Sequence, residues 1–72
     1  MEQLIIHERC VEGKKINKLK THLIAIFDKV VCKVMVVPYY GYPTGYNVDC
    51  SAQTLIEELS LGTGDYIIHK QE

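Results

Sequence analysis

Hydrophobic positions repeat with two different spacings along the chain. The first stretch, Glu2 to Arg9 (EQLIIHER), is apolar in its middle and charged at both ends, which is typical of a short strand. From Lys15 onward the apolar residues recur three or four positions apart, and this period predicts an amphipathic helix within residues 15–29. The residues of this helical stripe are Ile16, Leu19, Leu23, Ile26, Phe27 and Val30.

β-Branched residues in the same segment leave a second interpretation open. Thr21, Ile24 and Ile26 lose side-chain rotamers in a helix, which weakens the helical prediction. A strand at HLIAIF, followed by a turn at the Asp28–Lys29 dipeptide, is therefore the alternative.

The next part of the chain predicts a strand hairpin. Val30 to Val37 (VVCKVMVV) is mostly β-branched and stops at Pro38, which cannot continue a ladder of backbone hydrogen bonds. A segment rich in Gly and Pro follows, and Tyr46 to Cys50 then alternates like a second short strand. The two strands would form a hairpin with a long tip.

A helix and a last strand complete the predicted elements. Asp49 or Ser51 can cap the helix by accepting hydrogen bonds from free backbone N–H groups. Gly62 is placed to end it in a left-handed conformation. Thr63 to Lys70 predicts the final strand. The apolar stripe of the helix consists of Ala52, Leu55, Ile56 and Leu59.

The resulting order of elements is β-α-β-β-α-β within one α+β domain, residues 1–72. This order resembles the ferredoxin-like arrangement, which implies a single antiparallel sheet with strands in the order 4-1-3-2 and both helices on one face. If residues 15–29 form a strand, the alternative is a mostly antiparallel sheet that carries one helix, Ser51–Leu61.

In the 4-1-3-2 order the VVCKVMVV strand lies at an edge of the sheet. One face of that strand presents Val31, Lys33, Met35 and Val37, and the other face is also apolar. Edge strands with a solvated face normally alternate polar and apolar residues and carry charges that prevent pairing with another chain. We therefore expect a second copy of the chain to cover these four residues in a homodimer.

Composition and charge narrow the class of protein. The chain has 72 residues, 47% hydrophobic and 24% charged, with a net charge of −1, so a globular domain is expected rather than a disordered one or a wholly basic nucleic-acid binder. A domain this small has a thin stability margin, which is a further reason to expect a partner subunit.

The three cysteines are far apart in the sequence, and no apolar run reaches about 18 residues. We expect a soluble cytoplasmic protein with reduced thiols and no membrane segment.

The sequence gives weak support for metal binding or catalysis. His7 and Cys10 form an H-x-x-C pair, which is at most half of a zinc site, and we predict no metal and no cofactor.

Cys10 lies next to Arg9, yet the sequence shows no general base positioned to deprotonate its thiol. Glu57 and Glu58 are adjacent on a predicted helix and point apart. The expectation is a protein that is not an enzyme.

Basic residues gather at the start of the first predicted helix. Lys14, Lys15 and Lys18 fall within GKKINKLK, which lacks the spacing of a phosphate-binding loop. A positive track beside aromatic rings is what proteins use to bind single-stranded nucleic acid. Nucleic-acid binding through these lysines and stacked tyrosines is therefore one alternative function.

Four of the five tyrosines fall in one short segment, VVPYYGYPTGYNV. Such rings can brace a turn against the core, stack on bases, or form a recognition surface, since Tyr offers large contact area at low entropic cost. We predict that Tyr39, Tyr40, Tyr42 and Tyr46 contact a protein partner. The favoured function is a self-associating regulatory domain, and an inhibitor of viral or mobile-element origin is one candidate form of it. A dimer that senses a small molecule is the third hypothesis.

Overall fold

The computed structural model describes residues 1–25 and 29–70. Within them the chain forms four strands and two helices in the order β-α-β-β-α-β, with one short 3-10 helix, Glu8–Cys10, after the first strand. The elements are β1 (Glu2–His7), α1 (Lys14–Lys20), β2 (Cys32–Val37), β3 (Thr44–Val48), α2 (Ala52–Glu58) and β4 (Tyr66–Lys70). The alternative of a sheet with a single helix does not describe this protein.

The four strands form one mixed sheet in the order β3-β2-β1-β4. β1 pairs with β2 in parallel, and the β2–β3 and β1–β4 pairs are antiparallel. The predicted wholly antiparallel sheet in the order 4-1-3-2 is therefore not what the structure shows, and β2 lies in the centre rather than at an edge. Because β2 is apolar on both faces, a position between two neighbouring strands suits it better than an edge. Its hairpin connection also keeps β3 beside it.

One face of the sheet packs against both helices. Leu4 of β1 and Val34 of β2 are paired and almost fully buried. Leu19 of α1 and Leu55 of α2 belong to the same buried cluster, so both helices cover the same face, as predicted. The remaining members of the core are Ile6, Val11, Cys32, Val36, Val48, Ala52, Ile56, Leu59 and Leu61.

The opposite face carries no described helix and is called here the open sheet face. Strand register places a row of Gly45, Met35, Ile5 and Ile67 across it, one residue from each strand. A second row is more polar and consists of Asn47, Lys33, Gln3 and His69. Val37 and His7 form a third pair on this face. The one-sided burial of the sheet thus leaves an apolar row in contact with solvent.

Helix α1 is shorter than the helical stripe predicts, because the chain leaves the helix after Lys20. The Thr21 hydroxyl donates to the backbone carbonyl of Lys18 at 2.6 Å, which closes the last turn. The next residues then lie beside β3: Leu23 forms an isolated antiparallel bridge with Val48, and the N–H of Ile24 donates to the carbonyl of Asn47. The predicted helical residues Ile26 and Phe27 lie outside the described residues.

Helix α2 begins as predicted and ends differently. The Ser51 hydroxyl accepts a hydrogen bond from the N–H of Thr54, so Ser51 is the N-cap. At the other end, Ser60 has φ 52°, and the N–H of Leu61 donates to the carbonyl of Ile56. This is the Schellman pattern, with Ser60 in the left-handed position. The prediction that Gly62 takes this role is wrong.

Candidate functional site

The loop between β2 and β3 carries the most exposed aromatic side chains of the described residues. Tyr39, Tyr40 and Tyr42 are 74%, 86% and 94% exposed. They lie between Pro38 and Pro43, whose rings fix the backbone and reduce the entropy that binding would remove. Exposure on this scale shows that these three tyrosines do not brace the core.

Contacts with the first strand and its following turn hold the loop. The backbone N–H of Tyr39 donates to the Glu8 carboxylate at 3.1 Å. The ring of Tyr39 meets His7 edge-on, with centroids 6.3 Å apart, and meets Tyr40 edge-on at 4.8 Å. Gly41, at φ 103°, supplies the reversal between Tyr40 and Tyr42. Two of the three exposed rings therefore have a defined arrangement before any partner binds.

Tyr46 occupies a different place from the other three tyrosines. It lies on β3, pairs with Val34 on the helix-covered face, and packs against the core while remaining half-buried. The sequence places Tyr46 at the start of the second hairpin strand and groups it with the other three tyrosines as a partner contact, and in the structure β3 already begins at Thr44. The exposed group is therefore Tyr39, Tyr40 and Tyr42, called here the tyrosine loop.

A groove of about 370 Å³ opens beside the tyrosine loop. Its lining runs from Pro38 on the loop side to Gly13 at the start of α1, and its apolar part includes Val11 and Ile16. Glu8 and Glu12 also line it. The groove therefore combines an apolar surface with negative charge, which suits an apolar side chain that has a basic neighbour.

The lysines proposed for nucleic-acid contact lie on α1, the helix whose first turn lines the groove. Lys14 and Lys15 are at the start of α1, as predicted, and the acidic groove lies between that helix start and Pro38. The ammonium of Lys18 donates to the backbone carbonyl of Glu58 at 3.3 Å, so it faces the end of α2.

The residues proposed for self-association fall largely on the open sheet face. Lys33 is exposed, while Met35 and Val37 are half-buried. Val31 precedes β2 and is 37% exposed. Met35 lies over Gly45, since a Cβ on Gly45 would come within 3.8 Å of the Met35 methyl carbon. The strand is central, yet this face of it remains uncovered.

None of the candidate thiols has the surroundings of an activated nucleophile. Burial, reinforced by the charges of Asp49 and Glu58, raises the pKa of Cys50 to about 11. Burial and the charge of Glu2 also raise the pKa of Cys32. The thiolate is the reactive form, so neither residue is primed near neutral pH. The imidazole of His7 accepts a hydrogen bond from the N–H of Arg9 and makes no described contact with Cys10.

A charged cluster that the sequence did not reveal lies at the other end of the core. The two ring nitrogens of His22 are 2.9 Å from Asp49 Oδ1 and 2.6 Å from Glu58 Oε2. Hydrogen bonds to Asp49 and then to Glu58 raise the pKa of His22, because both carboxylates favour the imidazolium. Cys50 lies beside this group. Sequence separations of 27 and 36 residues left no local signal for these contacts.

Comparison of the chain with protein-family models, with curated proteins and with solved structures finds no match. Among the described residues, no helix is both long and apolar enough to cross a membrane. Function must therefore be inferred from the geometry of the surfaces themselves.

Proposed function

We propose that this protein is a non-enzymatic interaction domain that presents its tyrosine loop to a protein partner. The observation that carries the proposal is the exposure of Tyr39, Tyr40 and Tyr42, from 74% to 94%, on a loop stiffened by two prolines. Tyrosine is enriched at protein interfaces because its ring buries apolar area while its hydroxyl keeps a hydrogen bond. The groove beside the loop gives a partner side chain a place to enter.

The geometry favours a protein partner over a nucleic acid. Base stacking also uses exposed rings, but it needs cationic groups along the path of the phosphates. Here Glu8 holds the base of the loop and Glu12 lines the adjoining groove. A partner with a basic residue beside an apolar one meets complementary charge at this site.

Capture from the native cell extract tests the role of the loop. The double variant Tyr40→Ala/Tyr42→Ala removes two rings that make no core contact, so its stability should stay within about 0.5 kcal/mol of wild type. We expect capture of the partner, quantified by mass spectrometry, to fall at least about 10-fold, as for interface hot spots.

Two control variants separate the alternatives. Tyr40→Phe/Tyr42→Phe keeps the rings and should retain most of the captured partner. Lys14→Ala/Lys15→Ala should leave capture unchanged. If the lysine variant instead abolishes salt-sensitive binding to a labelled oligonucleotide, the nucleic-acid alternative is favoured. Equal capture by wild type and the alanine double variant contradicts the proposal.

Self-association through the open sheet face is the second candidate. The observation that favours it is the row formed by Met35, Ile5 and Ile67 across three strands, with Ile67 57% exposed. A two-fold related copy presents the same row, so each protomer supplies the apolar surface that the other lacks. A core of this size also leaves a small stability margin, which a dimer would widen.

Sedimentation of the purified protein at micromolar concentration tests this pairing. We expect wild type to sediment as a dimer and Ile67→Asp to sediment as a folded monomer, because paired copies would bury two unpartnered carboxylates. Tyr40→Ala lies on the loop and should remain dimeric. A wild-type protein that is monomeric throughout this range contradicts self-association and leaves the tyrosine-loop proposal standing.

A further inference from the structure

The cluster around His22 brings together three kinds of metal-binding atom. One ligand atom each from His22, Asp49 and Cys50 lies within 4.8 Å of the other two. We propose that these residues form a binding site for a divalent transition metal ion, and that zinc suits the donor set best. Imidazole nitrogen, thiolate sulfur and carboxylate oxygen are the three donors that protein zinc sites use.

The distances are close to those of a bound ion. Zn–N and Zn–O bonds of about 2.0 Å and Zn–S bonds of about 2.3 Å place tetrahedral donors about 3.3–3.5 Å apart. His22 Nδ1 and Asp49 Oδ1 are already 2.9 Å apart. Asp49 is exposed and Cys50 half-buried, so their side chains have room to adjust. The longest separation, at most 4.8 Å, must shorten by up to about 1.3 Å, and His22 Nδ1 and Asp49 Oδ1 must move apart by about 0.4 Å, to reach tetrahedral donor separations.

The backbone and a further carboxylate orient the histidine toward this point. The N–H of Asp49 donates to the carbonyl of His22 at 3.1 Å, which fixes the two segments side by side. Glu58 Oε2 lies 2.6 Å from His22 Nε2 and leaves Nδ1 directed at Asp49. A carboxylate on the second nitrogen is the usual support of a metal-bound histidine, because it fixes the ring and raises its basicity. Glu58 is therefore a positioning residue in this proposal.

Metal binding requires deprotonated donors, because a proton and the ion compete for the same lone pair. Binding of one Zn²⁺ therefore releases to solvent the proton of the Cys50 thiol and any proton that Nδ1 of His22 carries. Three protein ligands leave a fourth position for water or for a group from another molecule.

The proposal is independent of the tyrosine loop, and zinc chloride and cobalt chloride are the probes. The reduced protein should bind one equivalent of zinc in calorimetry and melt at a higher temperature with it, by mass action on the folded state. Cobalt should give a thiolate-to-metal absorption band that reports the Cys50 sulfur directly. Absence of saturable one-to-one binding overturns the proposal.

Matched variants assign the site. Cys50→Ser should remove the cobalt–thiolate band, whereas Cys10→Ser should keep it. His22→Gln should weaken zinc binding, and His69→Gln should leave it unchanged.

Glu58→Gln should lower zinc affinity about 10–100-fold while retaining the cobalt–thiolate band, and substitution of its neighbour, Glu57→Gln, should have no effect. A band that survives Cys50→Ser, or that disappears with Cys10→Ser, places the metal elsewhere and overturns the assignment. If Cys50→Ser does not fold, the His22 and Glu58 pairs decide.

Discussion

Leu19→Ala is expected to lower the free energy of unfolding by about 2–5 kcal/mol, whereas Leu23→Ala is expected to lower it by less than about 1 kcal/mol. The two leucines are four residues apart and belong to the same helical stripe in the sequence. In the structure Leu19 is fully buried among core residues, while Leu23 lies beyond the end of α1 and is 38% exposed. Truncating Leu19 leaves a cavity, and truncating Leu23 removes surface that water already reaches.

Urea unfolding followed by circular dichroism measures both free energies. A domain of 72 residues has a total stability of about 4–11 kcal/mol, so Leu19→Ala removes a large part of it. Similar midpoints for the two variants would mean that Leu23 is as buried as Leu19. That result would contradict the early end of α1 and restore the longer helix.

Val34→Asp is expected to unfold the domain, whereas Met35→Asp is expected to leave it folded. Val34 is 1% exposed at the centre of the sheet, between β1 and β3. A carboxylate there would be desolvated among apolar neighbours at a cost of several kcal/mol, comparable with the whole stability. Met35 points to the open sheet face, where the same carboxylate stays in contact with water.

Dispersion of amide signals in a two-dimensional NMR spectrum distinguishes folded from unfolded protein. Well-dispersed signals for Met35→Asp and collapsed signals for Val34→Asp would support one covered face and one open face. Loss of structure in both variants at every concentration would contradict an open face on the single chain. Folded spectra for both would show that Val34 is not in the core.

Local patterns in the sequence were enough for much of the fold. The apolar run of β2, the Pro and Gly residues of the following loop, and the Ser51 cap each depend on a few neighbouring residues. These features predicted the order of strands and helices and placed most of the tyrosines in one connection between strands. The exposure of Tyr39, Tyr40 and Tyr42 is consistent with that prediction.

The end of α1 shows where a local pattern fails. Spacings of three and four continue through Leu23, whose N–H still donates to the carbonyl of Lys20, but the N–H of Ile24 donates instead to the carbonyl of Asn47 in β3. The competing partner, Val48, is 25 positions further along the chain than Leu23. The β-branched residues were the local sign of this competition, but they did not identify the partner strand.

The sequence by itself determined where most strands and helices of this protein lie and which residues of each strand alternate, because those properties follow from neighbouring side chains and backbone dihedrals. It left residues 15–29 open between helix and strand. Only the tertiary structure decided that β2 is central, that Met35 and Ile67 share an uncovered face, and that His22, Asp49, Cys50 and Glu58 meet. These outcomes depend on how distant segments pack to cover the apolar faces of the sheet. This packing depends on contacts along the whole chain, so no short stretch of residues is enough to predict it.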